Sequence, residues 1–185
     1  MRIIAGQFRS RQLKSLKKLA IRPTSDMLRE TLFNILGPRV EGARFLDLFA
    51  GTGAVGIEAI SRGAVAVVLV ENHRQTAKLI RENLVLLQIT TTARLIVADV
   101  PAAVAKLESE HAASFDFIFL DPPYAHERDY HSVLHALEKS PLLAATGIVV
   151  AEHRKTSALP TAIGHLQQFR TLKQGDAALT FYRSA

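Results

Sequence analysis

Cysteine is absent from all 185 residues, which excludes disulfides and thiolate metal sites. No apolar run approaches the roughly 18 residues of a membrane span. No secretory leader pattern opens the chain, so a cytoplasmic location is the default expectation. Nucleophile elbows are missing too: Ser61, Ser132 and Ser140 have no such context, and covalent catalysis has no candidate. His131 and His135 are four apart on an expected helix, but no acid follows the first as in H-E-x-x-H. No metal site is expected. Residues 1–25 contain no acid at all. What is present is a 48% hydrophobic chain, long enough for one domain with a real core.

The most specific feature is Asp121-Pro122-Pro123-Tyr124, directly after the apolar run Phe115–Leu120. Two prolines remove two backbone donors and stop a strand abruptly. They leave a rigid turn with free carbonyls, a carboxylate and an aromatic face. Those groups suit a planar ligand bearing an NH2: the oxygens accept its N–H bonds and the ring stacks on its face. The plainer reading is a Pro-rich turn capped by Asp.

Upstream, the apolar strand Phe45–Phe49 runs into Ala50-Gly51-Thr52-Gly53-Ala54-Val55-Gly56. Gly51, Gly53 and Gly56 satisfy G-x-G-x-x-G, with a strand before and a helix after. Glycines let the backbone approach a ligand, and a helix N-terminus favours polar or anionic groups. Glu71 closes the next strand, 20 residues after Gly51, at the spacing of a ribose-binding carboxylate. An adenosine-type ligand follows, NAD or S-adenosylmethionine. Asp47 separates the two: beside the turn it would repel a pyrophosphate and favour a cationic amino-acid tail. Asp99 is a further strand-end acid that could reach the adenine amino group. Its plainer reading is a helix N-cap just before Pro101.

The chain carries 23 basic and 17 acidic residues, net +6, and seven of the basic ones lie in residues 1–25. The remainder is close to neutral. Arg2–Ala5 reads as a short strand, and Leu13, Leu16 and Leu19 recur on one side. A folded, basic, hairpin-like arm that contacts nucleic acid is expected. Beyond it, Thr24 or Ser25 caps a helix over 26–36, stopped by Gly37-Pro38. Strands at 44–49, 66–71, 94–98, 115–120 and 147–152 alternate with helices at 54–62, 74–87, 101–110 and 129–138. Segments 165–173 and 177–183 form a hairpin. The fold class is α/β: a Rossmann-like, doubly wound, mostly parallel seven-stranded sheet with an antiparallel C-terminal hairpin and a small basic N-terminal extension. Asp47, Glu71, Asp99 and Asp121 all fall at strand ends, where such sheets bind ligands.

With these motifs the chain resembles the S-adenosylmethionine-dependent amino-methyltransferases. Arg22-Pro23-Thr24, Arg29–Asn34 and Asp47–Gly53 narrow this to the RsmD-like family, bacterial 16S ribosomal RNA guanine-N2 methyltransferases. That family usually reads Arg-Gly-Arg where this chain has Arg9-Ser10-Arg11, and often Asp-Arg where it has Asp26-Met27. The resemblance implies residues 1–24 as a basic arm and 25–185 as the methyltransferase domain. It implies S-adenosylmethionine at Asp47, Gly51, Thr52, Gly53, Glu71 and Asp99. The catalytic set is Asp121, Pro122, Pro123 and Tyr124, acting on a base taken out of its stack. Arg9, Arg11 and Arg22 are expected at RNA phosphates. The implied partner is 16S ribosomal RNA or the assembling small subunit, met by a monomer, without membrane or metal. Alternatives are an adenine-N6 methyltransferase on DNA or RNA, a protein-glutamine methyltransferase, and a non-catalytic RNA-binding assembly factor. A nicotinamide enzyme fits worst.

Overall fold

The structure is a computed structural model and describes residues 1–15, 25–122 and 127–185. It divides into two compact units, Met1–Asp99 and Val100–Ala185. Among the described residues no helix is long and apolar enough to cross a membrane.

The first unit opens with the arm. Arg2 bridges Gln12 in antiparallel fashion, and Ile3 and Leu13 are buried. The Leu16 and Leu19 expected beside them lie outside the described residues. Helix α1 (Asp26–Leu36) starts where Ser25 accepts a hydrogen bond from the Leu28 N–H, and ends at Gly37. Its Leu28, Leu32, Phe33 and Leu36 form the buried stripe that a 3.6-residue period requires. Then follow β1 (Arg44–Asp47), α2 (Ala54–Ser61), β2 (Ala66–Val70), α3 (Arg74–Leu86) and β3 (Ala93–Ile96). The strands β3, β2 and β1 are neighbours in that order, all parallel. β1 and β2 are almost wholly buried, and the continuous apolar run of β2 is what a parallel strand covered on both faces needs.

The second unit holds α4 (Val100–Ser109), β4 (Phe115–Leu120), α5 (Glu127–Lys139), β5 (Leu143–Arg154), β6 (Ala162–Ile163), β7 (Leu166–Gln174) and β8 (Ala177–Ser184). β4 and β5 are parallel, while β8 joins β5 antiparallel and β7 joins β8 antiparallel. Parallel strands followed by an antiparallel C-terminal hairpin is the expected α/β arrangement. Two details differ. β5 begins at Leu143, four residues before Gly147. The expected strand begins at 147, but Gly147 sits inside β5 at an irregularity in the β4–β5 register. A Cβ there would lie 2.7 Å from Leu143 Cδ1 and 3.0 Å from the Phe115 carbonyl oxygen, so only glycine fits this bulge. β6, at two residues, is too short to leave a sequence pattern.

Candidate active site

The expected site residues fall into both units, and each group is built within its own. In the first unit β1 ends at Asp47 and the chain turns before α2. The Ala50 N–H donates to the Val70 carbonyl (2.8 Å), fastening the turn to the end of β2. The Gly53 N–H donates to the Ala50 carbonyl (2.7 Å), closing it tightly. The three glycines serve different ends. Gly51 and Gly53 have φ of +53° and +78°, values that side chains disfavour. At Gly51 a Cβ would meet only the Phe49 carbonyl oxygen, at 3.9 Å, so the backbone there is open to close approach. At Gly56 a Cβ would lie 2.5 Å from Leu69 Cδ2, so this glycine lets α2 lie against β2.

Asp47 is 1% exposed, and its Oδ2 accepts from the Gly56 N–H at 3.1 Å. Gly53 occupies the N-cap of α2 and has no side chain to satisfy the first turn. The strand-end carboxylate therefore takes over the cap. It also faces the positive end of the helix dipole. Glu71 bridges the next stretch. Its Oε2 accepts from the Gly51 N–H (3.0 Å) and its Oε1 from the His73 N–H (2.7 Å). Desolvation raises its carboxyl above the ordinary 4.5, and the backbone donors, chiefly at His73 and Gly51, offset this only in part. Asp99 is exposed and immediately precedes α4. Thr52 is buried, with its hydroxyl 3.8 Å from the Met1 sulfur.

Two buried polar residues were missed by sequence reasoning. Asn83 on α3 accepts from the Lys14 N–H (2.8 Å) and donates to the Lys14 carbonyl (3.2 Å) and the Thr52 carbonyl (3.3 Å). One amide thus holds both the arm and the glycine turn. Glu58 on α2 is fully buried and accepts from the Ile4 N–H (2.8 Å), the Ala5 N–H (3.0 Å) and Arg62 Nε (2.8 Å). The fully buried Arg29 stands 3.7 Å from the same carboxylate and also donates to the Arg2 carbonyl. In addition, Phe8 N–H donates to Ser61 Oγ (3.0 Å) and Gln7 N–H to the Ser61 carbonyl (2.8 Å). The segment read as a strand pairs with residues 10–13 through bonds such as the Ile3 N–H to the Arg11 carbonyl (3.0 Å), while Glu58 of α2 takes the Ile4 and Ala5 N–H groups.

Arg9 and Arg11 are exposed on this arm, and Arg11 Nη2 is 3.4 Å from the Leu86 carbonyl. Arg22 lies outside the described residues. Between the two exposed arginines, Ser10 has a φ of +65°, a conformation that favours glycine. The Arg-Gly-Arg pattern that Ser10 interrupts thus has a backbone cause.

In the second unit Asp121 directly follows β4, partly exposed, and Pro122 is buried. Pro123 and Tyr124 lie outside the described residues. Beside this strand end, Tyr130 donates its hydroxyl to the Glu152 carbonyl at 2.7 Å. His153 is buried, with Nδ1 2.8 Å from the Arg154 carbonyl and Nε2 2.8 Å from Thr180 Oγ1. A carbonyl only accepts, so Nδ1 carries the proton and Nε2 accepts from the hydroxyl. Burial lowers the His153 pKa and keeps the ring neutral. Its role is to satisfy a buried polar chain. His131 and His135 are exposed on α5, and no group of side chains suited to a metal occurs among the described residues.

The family model described as "Conserved hypothetical protein 95" matches residues 1–183. The chain is 34% identical over 183 residues to YlbH of Bacillus subtilis (strain 168), covering 99% of this chain and 98% of that protein. It is 33% identical over 183 residues to the ribosomal RNA small subunit methyltransferase D of Escherichia coli (strain K12), covering 99% and 89%. The solved structure of yhhF from Escherichia coli superposes with a TM-score of 0.87 at 33% identity, covering 100% of this chain and 97% of that one. TrmN from Thermus thermophilus, at 20% identity and a TM-score of 0.67, shares the fold. By sequence, length and fold alike, the chain belongs to the family of conserved hypothetical protein 95, that of the small-subunit ribosomal RNA methyltransferases D.

Proposed function

We propose that this chain transfers a methyl group from S-adenosylmethionine to the exocyclic N2 amine of a guanine in 16S ribosomal RNA, in the cytoplasm. One observation carries the amine chemistry: Asp121-Pro122-Pro123-Tyr124 directly after β4. Membership of the methyltransferase family supports the RNA substrate. The residues present fit the cofactor. The open backbone at Gly51 admits close approach, and Glu71, already at the Gly51 N–H, keeps lone pairs for ribose hydroxyls. Asp47 is buried, so it favours the cationic methionine part through its field rather than by contact. Asp99 is assigned to the adenine side.

When bound, the cofactor supplies an electrophilic methyl. The chain supplies position. The Asp121 carboxylate and the Pro122 carbonyl accept the two N–H bonds of the target amine. This turns the nitrogen lone pair toward the methyl group and disfavours its delocalisation into the ring. Tyr124 stacks on the base, which must leave its helix to be reached. Rate then comes from in-line placement and local electrostatics. Asp121 need not be a strong base, because the amine acidifies once methylated.

Replacing Asp121 by Ala is expected to abolish turnover while cofactor affinity, measured by calorimetry, stays within about threefold. Normal turnover in that variant would remove Asp121 from the reaction. The substrate is tested by methyl transfer from labelled S-adenosylmethionine to undermethylated small-subunit particles, free 16S RNA and duplex DNA, followed by nucleoside analysis. N2-methylguanosine is the expected product. N6-methyladenine would move the chain to adenine chemistry, which Asp-Pro-Pro-Tyr serves equally well.

A further inference from the structure

The body of the chain is near neutral as a whole, yet its charge is not evenly spread. Residues 143–185 hold Arg154, Lys155, Arg170, Lys173 and Arg183 against two acids, Glu152 and Asp176. Glu152 is buried, so Asp176 is the one exposed acid of this segment.

Strand register places three of those cations. Leu120, the last residue of β4, pairs with Ala151 of β5, and Ala151 pairs with Thr180 of β8. β5 continues to Arg154, which pairs with Ala177, and Ala177 pairs with Gln174 at the end of β7. The hairpin therefore runs three residues past the level where β4 stops. At roughly 3.3 Å per residue that is about 10 Å of projecting ribbon. It projects on the edge that carries Asp121, because β4 and β5 are parallel. Lys173, opposite Ala178 and level with His153, stands on one face of the ribbon. Arg154 stands on the other face, and Lys155 is at the tip.

The tip is built rather than loose. The Lys155 N–H donates to the Asp176 carbonyl at 3.0 Å, and Lys155 Nζ lies 3.2 Å from Asp176 Oδ1. The side chains of that pair are 46% and 73% exposed, so the pair is weak and readily yields to a stronger anion. Lys173 is exposed.

We propose that this hairpin tip, through Lys155, Lys173 and Arg154, clamps phosphates of the RNA strand that flanks the target base. The proposal rests on the RNA-methyltransferase reading above. Cations carried on paired strand ends beside Asp121 are what backbone positioning needs. They carry no base preference, so the clamp would fix the strand and leave the choice of base to the Asp121 turn. Asp176 acts as a stand-in anion that holds Lys155 in place until phosphate displaces it.

The test uses the full chain and free 16S RNA as the probe. Lys155→Ala with Lys173→Ala is expected to weaken RNA binding about tenfold. The slope of log affinity against log salt should fall by about 1.4 to 1.8, at ~0.7 to ~0.9 for each of two lost phosphate contacts. Asp176→Asn removes the competing carboxylate and is expected to tighten RNA binding severalfold, an effect that misfolding does not produce. Unchanged affinity and slope in both variants would overturn the clamp. So would a loss seen only on protein-containing particles, which would assign the tip to an acidic protein. If the wild-type chain methylates no RNA, the underlying reading fails; methylation with unchanged slopes fails the clamp alone.

Discussion

Glu71 has a structural role in its two backbone bonds and, under the proposed function, a binding role beside it. It joins the end of β2 to the glycine turn through the Gly51 N–H, and desolvation raises its pKa above the ordinary 4.5. A raised carboxyl binds its proton more readily in the folded state than in the unfolded one. Glu71 therefore weighs against folding above its folded pKa, and that penalty is relieved as pH falls through it. Binding has the opposite sign. Under the proposed function ribose hydroxyls need the ionised Glu71, so protonation removes a partner. Calorimetric titration of the wild type is expected to show S-adenosylmethionine affinity falling as pH is lowered, at a pH above that where carboxylates of ordinary pKa titrate. In Glu71→Gln the affinity should start about tenfold lower and stay flat there. A variant with the wild-type pH profile would place the titrating group elsewhere. The place of Glu71 at the end of β2, 20 residues after Gly51, was legible from spacing, which is one-dimensional information, whereas its bond to the Gly51 N–H was not. The capping role of Asp47 was not. That bond spans nine residues and depends on Gly53 lacking a side chain where α2 begins.

Between elements, the illegible part is the buried polar pairing. Periodicity reveals apolar faces, and it placed α1, β4 and the C-terminal hairpin within a residue or two. It says nothing about Asn83, which sits among apolar positions of α3 and finds partners 31 and 69 residues away. Glu58 is similar, meeting the arm 53 and 54 residues upstream. Such groups are identified only once folding brings their partners near, since each must be satisfied when buried. Asn83 ties α3, the arm and the glycine turn through a single amide. Asn83→Ala leaves the Thr52 carbonyl without that donor and frees both Lys14 backbone groups. Loss of these bonds is expected to lower stability by about 2–3 kcal/mol in urea unfolding. It is also expected to weaken S-adenosylmethionine severalfold, because the turn at Thr52 is released. Asn83→Asp keeps the acceptor for the Lys14 N–H and removes the donor to Thr52. It should regain part of the stability and none of the affinity. Equal recovery of both would mean that the amide acts only as a fold support.

On the scale of the whole molecule, charge separates two tasks. Residues 1–25 hold seven basic residues and no acid, which accounts for the net +6. Yet the described part of the arm, residues 1–15, has its backbone fastened by Glu58, Ser61 and Asn83, with Arg9 and Arg11 left exposed. A fastened basic arm presents phosphate contacts at fixed places, where a loose tail would first have to be ordered at an entropic cost. It should therefore add affinity without adding base preference. Neutralising Arg9, Arg11 and Arg22 to Ala is expected to lower the salt slope of RNA binding by about 2 to 3, from ~0.7 to ~0.9 per contact. Under the proposed function, in which the base is chosen at Asp121 and not at the arm, the methylated nucleotide should keep its position in the RNA. Arg11 also reaches the Leu86 carbonyl, so a small loss of stability accompanies its replacement and is measured separately. A triple variant whose salt slope matches the wild type would remove the arm from the RNA interface and leave its positive charge as solvated surface. A lowered slope with methylation moved to another nucleotide would instead show that the arm helps to select the target.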